Sequence, residues 1–298
     1  MFSVEINHIL KAYGNRAVVN DVSFYVNQGE IFGLIGPNGA GKTTTIRMMM
    51  DIIKPDSGNI KIMGEKLSEK SKNKIGYLPE ERGLYKKLSI IESIIYFASL
   101  KGVDRQTALE RGENLLKRAE LLPHKNKKIE ELSHGMGQIT QVIITIIHEP
   151  DLIILDEPFA GLDPVNTQLL KDLIRELRSN GKTIIMSTHR MNDIEELSDR
   201  LLMINKGRTV LYGDLTEIKS KYRNNSVVVE SPGELGEIEG VIEQRRHNRS
   251  MELVLDDKIT PQMILEQLVK KGVAVNRFEL STPSLNEIFI KVVGKENE

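Results

Sequence analysis

Residues 36–43 of the chain read Gly-Pro-Asn-Gly-Ala-Gly-Lys-Thr. The spacing satisfies G-x-x-x-x-G-K-[ST], a loop built to hold phosphate. Glycine lets the backbone curl so that successive N–H groups point inward, where a Cβ would block a phosphate oxygen, and a helix opening near Lys42 adds the positive end of its dipole. Lys42 supplies a point charge for the β and γ phosphates, and the Thr43 hydroxyl is placed to ligate Mg²⁺. An ordinary glycine turn is the competing reading. It loses ground because an apolar strand, expected over Glu30 to Ile35, precedes the loop and a helix, expected over Thr43 to Ile53, follows it.

A second group lies downstream. Leu152-Ile-Ile-Leu-Asp156-Glu157-Pro158 is an apolar strand ending in two carboxylates. Asp156, at the strand end, is expected to hold Mg²⁺ through water, and Glu157 to polarise the attacking water as general base. An isolated Asp-Glu pair reads as a solvated strand end; behind a phosphate loop it points to metal and water. Thr183-Ile-Ile-Met-Ser-Thr188-His189 is a second apolar strand with a polar tip, and a crossover helix should bring that tip beside the carboxylates. His189 is then in position to contact the γ phosphate. The other histidines, His8, His124, His134, His148 and His247, read as structural.

Short alternating strands, with turns at Tyr13-Gly14-Asn15 and Asn27-Gln28-Gly29, are expected from Phe2 to Ile35. The helix behind the loop should stop before Lys54-Pro55-Asp56-Ser57-Gly58. Leu88 to Ala119 reads as a helical insertion, with apolar residues at helical spacing over Ile90 to Leu100 and around Leu109 to Ala119. Strand-helix alternation then resumes as Leu152 to Asp156, Val165 to Arg178 and Thr183 to Ser187, which predicts a buried parallel sheet. Past Lys221 the pattern changes. Strands over Ser226 to Glu230, Met251 to Leu255 and Val273 to Leu280, with helices over Pro261 to Lys271 and Ser284 to Val293, make a small α+β unit. The polar run Lys219 to Asn225 is the expected connection, giving domains 1–222 and 223–298.

Lys+Arg number 41 and Asp+Glu 42, a formal net charge of -1, so no global basic field exists to attract nucleic acid, and none is expected as a partner. The 298 residues suffice for one large core and one small one. Cysteine is absent, which excludes disulfides and thiolate metal sites and fits a cytoplasmic compartment. Apolar runs such as Gln141 to Ile147 fall short of the roughly 18 residues needed to span a bilayer. Met1 to Leu10, with Glu5, Asn7 and His8, lacks the pattern of a secretory signal. The chain is expected to stay where it is made.

Together with Leu132-Ser133-His134-Gly135-Met136, these motifs resemble the ABC (ATP-binding cassette) ATPase family, whose signature Leu-Ser-Gly-Gly-Gln precedes the strand ending in Asp-Glu. The resemblance covers residues 1 to about 222. It implies an α/β fold, a P-loop NTPase nucleotide-binding domain with a RecA-like core, an antiparallel β-subdomain and a helical subdomain. It also implies binding and hydrolysis of Mg-ATP, with Glu157, His189 and Lys42 catalytic and Thr43 and Asp156 on the metal. Nucleotide contacts are implied for Tyr13, Gly36, Pro37, Asn38, Gly39, Ala40, Gly41, Lys42, Thr43, Thr44, Glu80, Ser133, Gly135 and Asp163. In that family two domains pair head to tail and the signature of one closes over ATP held by the other. A homodimer, or a heterodimer with a second ATPase subunit, is therefore implied. Ser133 offers a hydroxyl and Gly135 an unobstructed N–H at the start of a helix expected over Met136 to Ile147. Tyr13 resembles the aromatic that stacks on adenine, with packing inside the β-subdomain as its alternative. Ala160-Gly161-Leu162-Asp163 resembles the D-loop, and Asp163-Pro164 also reads as a helix start.

Two departures stand out. Glu80, after Ile75-Gly-Tyr-Leu-Pro79, occupies a position where the family usually has glutamine, and it adds negative charge near phosphate. The segment Glu80-Glu-Arg-Gly-Leu-Tyr85 resembles a subset of bacterial ATPases that includes those of sodium-efflux exporters. In the signature, His134 and Met136 replace a glycine and a glutamine, and Ile139 stands where a basic residue is common. Ser133, Gly135, Glu157 and His189 remain, so an active ATPase is expected. Ser226 to Glu298, most recognisably Ser281-Thr-Pro-Ser-Leu-Asn-Glu-Ile-Phe289, resembles the accessory domain of exporter ATPases with separately encoded permeases; structural and regulatory roles stand equal for it. The implied function is the ATP-hydrolysing subunit of an exporter, held on the inner face of the cell membrane by an integral membrane permease. A regulatory nucleotide-binding module with little turnover is the alternative. Ribosome- or DNA-directed relatives predict fused cassettes, a coiled-coil insertion or a basic surface, none of which the sequence carries. Sodium, an antibiotic, a peptide and a lipid are the candidate cargoes, sodium first through the Glu80 segment alone.

Overall fold

The computed structural model describes residues 2–295 apart from 82, 224, 234, 248–249 and 257. The chain divides after Leu215 into two compact units. The first runs through β1 (Phe2–Tyr13), β2 (Arg16–Asn27) and β3 (Ile31–Ile35) into α1 (Lys42–Met49). Next come β4 (Ser57–Ile62), α2 (Glu69–Lys72) and β5 (Ile75–Leu78), then α3 (Ile90–Leu100), α4 (Arg105–Arg118) and α5 (His134–Ile146). Alternation closes the unit with β6 (Leu152–Asp156), α6 (Pro164–Ser179), β7 (Thr183–Thr188), α7 (Met191–Leu197), β8 (Arg200–Asn205) and β9 (Arg208–Asp214).

Among the described residues, one sheet has the order β5-β6-β7-β3-β8-β9 and a separate antiparallel one the order β2-β1-β4. The larger sheet is parallel except for β9, which returns antiparallel along β8. Every residue of β3, β6 and β7 is buried, as central parallel strands require when both faces are covered. Each fully buried Ile or Leu on them contributes about 1.5–3 kcal/mol of transfer free energy. Ile35 lies level with Thr188, and Asp156 with Ser187, so the carboxyl ends of the three strands finish side by side. In open α/β sheets that is where ligands bind.

Helices begin where side chains satisfy their first amides. Ser89 caps α3 with Glu92 reaching back, Asp104 caps α4, Ser133 caps α5 and Asp163 caps α6. The α3–α4 crossing is close: a Cβ on Gly112 would come 2.9 Å from Ile94 Cγ2. Several boundaries differ from the sequence expectation. α1 stops at Met49 rather than Ile53, because Asp51 takes a left-handed φ of 58° and the Ile52 and Ile53 amides fold back onto the Arg47 carbonyl. α5 starts at His134, two residues before Met136, while α3 and α4 both fall inside the helical stretch expected over Leu88 to Ala119. Strand β4 begins at Ser57, inside the expected turn.

The second unit contains most of α8 (Leu215–Lys221), then β10 (Ser226–Glu230), β11 (Val241–His247), β12 (Ser250–Leu255), α9 (Pro261–Lys270), β13 (Arg277–Leu280) and α10 (Leu285–Lys295). Its antiparallel sheet has the order β11-β12-β10-β13, and Val227, Val229, Leu253 and Leu255 pack with Ile264 and Leu268 of α9. The division falls ahead of the boundary expected at 222, and Lys219 to Lys221 are helical rather than a connector. Strand β11 was not expected. The strand expected from Val273 is confined to Arg277–Leu280, since Val273 and Val275 pack on the core without joining a ladder. No helix among the described residues is long and apolar enough to cross a membrane.

Candidate nucleotide site

The loop between β3 and α1 is pressed against its surroundings. Gly36 has a φ of 155°, and a Cβ there would stand 2.1 Å from the Ile204 carbonyl oxygen; at Gly41, φ 112°, it would stand 2.6 Å from that of Val18. No side chain at Gly41 caps α1, so the first amides of the helix are left for a ligand. Lys42 is buried and folds back onto the loop, its Nζ donating to the Gly36 carbonyl at 2.8 Å and the Pro37 carbonyl at 3.2 Å. Burial pulls its pKa below the usual lysine range, opposed by the charges of Glu157, Asp156 and Glu80. Glu157 Oε1 lies 4.0 Å from the ammonium.

Asp156 and Glu157 end β6 in different environments. Asp156 is fully buried; the Ser187 hydroxyl donates to its Oδ1, while Oδ2 is buried with no hydrogen-bond partner among the described residues. Burial pushes the Asp156 carboxyl up, against the pull of the Ser187 and Thr43 hydroxyls. Glu157 takes a left-handed φ of 51° and its amide donates to the Ser187 carbonyl at 3.0 Å. Its Oε2 accepts from the Thr188 hydroxyl at 3.1 Å, and its Oε1 from the His189 amide at 3.0 Å, with His189 Nδ1 2.9 Å from the same oxygen. Thr43 Oγ1 stands 3.5 Å from Glu80 Oε2.

Lys42, Thr43, Glu80 and Glu157 open onto a cavity of about 170 Å³, lined also by Val18, Asn38, Gly39, Gly41 and Thr44. Gly36 and Pro37 reach it through Lys42, and Ala40 is buried beneath, its carbonyl accepting from the Gly207 amide. Six other expected residues do not line it: Asp156 and His189, which stand on either side of the lining Glu157, and four that lie elsewhere. Tyr13 sits at the end of β1 with its ring half exposed and the Lys11 ammonium 5.8 Å from the ring centre. Ser133, Gly135 and Asp163 gather instead at the starts of α5 and α6, where a Cβ on Gly135 would lie 3.6 Å from Asn166 Nδ2 and 3.9 Å from Asp163 Oδ2. His134 packs onto Gly161, where a Cβ would come 2.1 Å from the imidazole Cδ2. Val18, Ser187 and Thr188 were not singled out in the sequence. A hydroxylated strand end beside His189 is the signal that marks the last two.

A hard divalent cation fits this donor set. The orphaned Asp156 Oδ2 and the Thr43 hydroxyl are oxygen donors at one spot. Among the described residues no group of three or more His, Cys, Asp or Glu is arranged to hold a metal alone. Phosphate oxygens and water would have to complete the shell.

A glycine loop between a central parallel strand and a helix, facing two carboxylates at the end of a neighbouring strand, defines a P-loop nucleotide-binding protein. The family described as ABC transporter matches residues 19–160, and that described as ATP-binding protein DrrA1-3-like, C-terminal domain, matches residues 213–293. The ABC transporter ATP-binding protein YhaQ of Bacillus subtilis (strain 168) is 39% identical over 292 residues, 97% of this chain and 98% of that one. The Nod factor export ATP-binding protein I of Rhizobium sp. (strain N33) is 32% identical, covering 99% of this chain and 98% of its own length. A solved structure of the ATP binding subunit of an ABC transporter superposes with a TM-score of 0.69 at 31% identity, over 74% of this chain and 92% of that one. The chain belongs to the ABC transporter ATP-binding proteins. It is the ATP-binding subunit of such a transporter, from a family whose members are generally ATPases and work with membrane permease subunits.

Proposed function

We propose that the chain hydrolyses Mg-ATP and powers an exporter through a separately encoded permease. The observation that carries this reading is the fixing of Glu157: both carboxylate oxygens are held by β7-end donors while the group faces the phosphate cavity. In this reading the loop amides and Lys42 grip the phosphate chain. Thr43 and Asp156 would hold Mg²⁺, which when bound neutralises charge building on the phosphate oxygens. Glu157 takes a proton from the attacking water, and His189, held by Glu157, faces the γ phosphate. Tyr13 stacks on adenine. Glu80, whose Oε2 stands 3.5 Å from the Thr43 hydroxyl, would contact the metal or its water.

Ser133, Gly135 and Asp163 lie outside the cavity, as residues serving the site of a second ATPase chain should. Two chains closing over two nucleotides, homodimer or heterodimer, then form the working unit. A groove of about 320 Å³ lined by Tyr77, Pro79, Leu84, Phe97, Leu100 and Ile144 supports permease docking beside Glu80. The export direction is supported by the Nod factor export relative, and it would put the subunit on the inner face of the membrane. Sodium as cargo rests on the Glu80 segment alone. A regulatory module with little turnover is the second reading, favoured by His134 and Met136 in the signature.

The test is phosphate release from Mg-ATP by the purified chain and by Glu157→Gln. Faster release by the wild type supports the ATPase. Equal release from both overturns the role of Glu157, and no release from either favours the regulatory module.

A further inference from the structure

Gln138 lies on α5, three residues past Gly135, and is 5% exposed. Its Nε2 donates to the Pro158 carbonyl at 3.1 Å in a buried setting. Pro158 directly follows Glu157, whose φ of 51° is one that residues with a side chain seldom adopt. Such a conformation persists only where neighbours over-determine it. Proline brings no N–H, so its carbonyl is the handle by which the turn can be held at that point. The Ser187 carbonyl receives the Glu157 amide from the other side, and the Ala160 amide closes the turn onto the Glu157 carbonyl at 3.2 Å. A second grip comes from α5: the His134 imidazole covers Gly161, near enough that a Cβ would stand 2.3 Å from its Nε2.

We propose that Gln138 is a positioning residue for Glu157, fixing the turn that aims the carboxylate and tying it to the helix that begins at Ser133. The proposal rests on Glu157 acting as the general base. Gln138 touches neither the phosphate cavity nor the reacting atoms, and its influence passes through the Pro158 carbonyl. Because Ser133, His134 and Gly135 share its helix, a displacement of the start of α5 is carried to the turn. The signature of a chain is thereby linked mechanically to the hydrolytic carboxylate of the same chain.

Gln138→Met keeps length and volume and removes the donor. The expected result is a kcat lowered about 10-fold or more with KM for ATP within about twofold, the pattern of a lost transition-state interaction. Added to Glu157→Gln and followed in single turnover, the same substitution should leave the residual rate unchanged, since an effect exerted through a carboxylate vanishes with it. Wild-type kcat in Gln138→Met overturns the proposal, and so does an equal slowing in both backgrounds. If Gln138→Met does not fold, Gln138→Asn, one methylene shorter, is read in the same two ways. Wild-type turnover by Glu157→Gln overturns the base assignment and this proposal together; an inactive Glu157→Gln beside a fully active Gln138→Met overturns this proposal alone.

Discussion

His189 meets Glu157 twice, its backbone amide donating to Oε1 at 3.0 Å and its ring Nδ1 standing 2.9 Å from the same oxygen. Only the second contact depends on the side chain. His189→Ala should therefore leave Glu157 oriented by the amide and by Thr188 while removing the imidazole proposed to contact the γ phosphate. Turnover is expected to fall about 100-fold, the scale of a lost acid-base or charge-stabilising group. Nucleotide affinity, followed by titration with a fluorescent ATP analogue, should change only a few-fold. A much larger loss of binding would place His189 in ground-state recognition instead.

Two glycines of the loop should respond differently to a methyl group. At Gly36 it would meet the Ile204 carbonyl at 2.1 Å, a backbone atom that cannot step aside; at Gly39, φ 75°, nothing lies within 4 Å. Gly39→Ala carries only the cost of a left-handed alanine, about 1 kcal/mol. Gly36→Ala adds a backbone clash and is expected to cost roughly 3 kcal/mol or more. Thermal unfolding of the two variants side by side checks the order, and a smaller loss for Gly36→Ala would contradict the packing described.

His148 supplies a pH dependence. Burial, aided by the charges of Lys101 and Lys182 and opposed by the Ile75 carbonyl, pulls its pKa from 6.5 down to about 4. The unfolded chain therefore binds the proton first as pH falls. Stability contributed by neutral His148 is present above pH 6.5 and is lost as pH drops toward 4. Between pH 7 and 5 the loss is on the order of 2 kcal/mol. His148→Gln should flatten that part of the profile in denaturant titrations at the two pH values.

Tyr13, half exposed at the end of β1, is free to offer its ring to a base. Tyr13→Ala should weaken ATP binding about 3- to 10-fold, the equivalent of one aromatic contact. Tyr13→Phe should not. Loss of thermal stability without loss of affinity would return the residue to a packing role.

The loop at residues 36–43 and the strands ending at Asp156 and Thr188 are legible because each is a local pattern: glycine spacing, or an apolar run with a polar tip. Contacts between distant segments are not. Val18 lines the cavity from β2, and Gln138 reaches Pro158 across 20 residues, with nothing nearby in sequence to announce either. Ser187 faces Asp156 only because β6 and β7 pair in that register. Strand β11, carrying Glu243, Gln244, Arg245 and Arg246, reads as a polar segment because it lies at the sheet edge and is largely exposed. The early end of α1 follows from the backbone of Asp51, a residue type that does not by itself signal a stop.

The near-contact of Gly36 with Ile204 means that the phosphate cradle leans on β8 and is not a free loop draped above the sheet. A seat braced in this way is furnished when the chain folds. Little chain freedom then remains to be surrendered when a polyphosphate arrives. Occupancy should then track the charge and shape of the visitor more than any rearrangement of the host, leaving motion to the parts of the molecule that lie beyond the cradle.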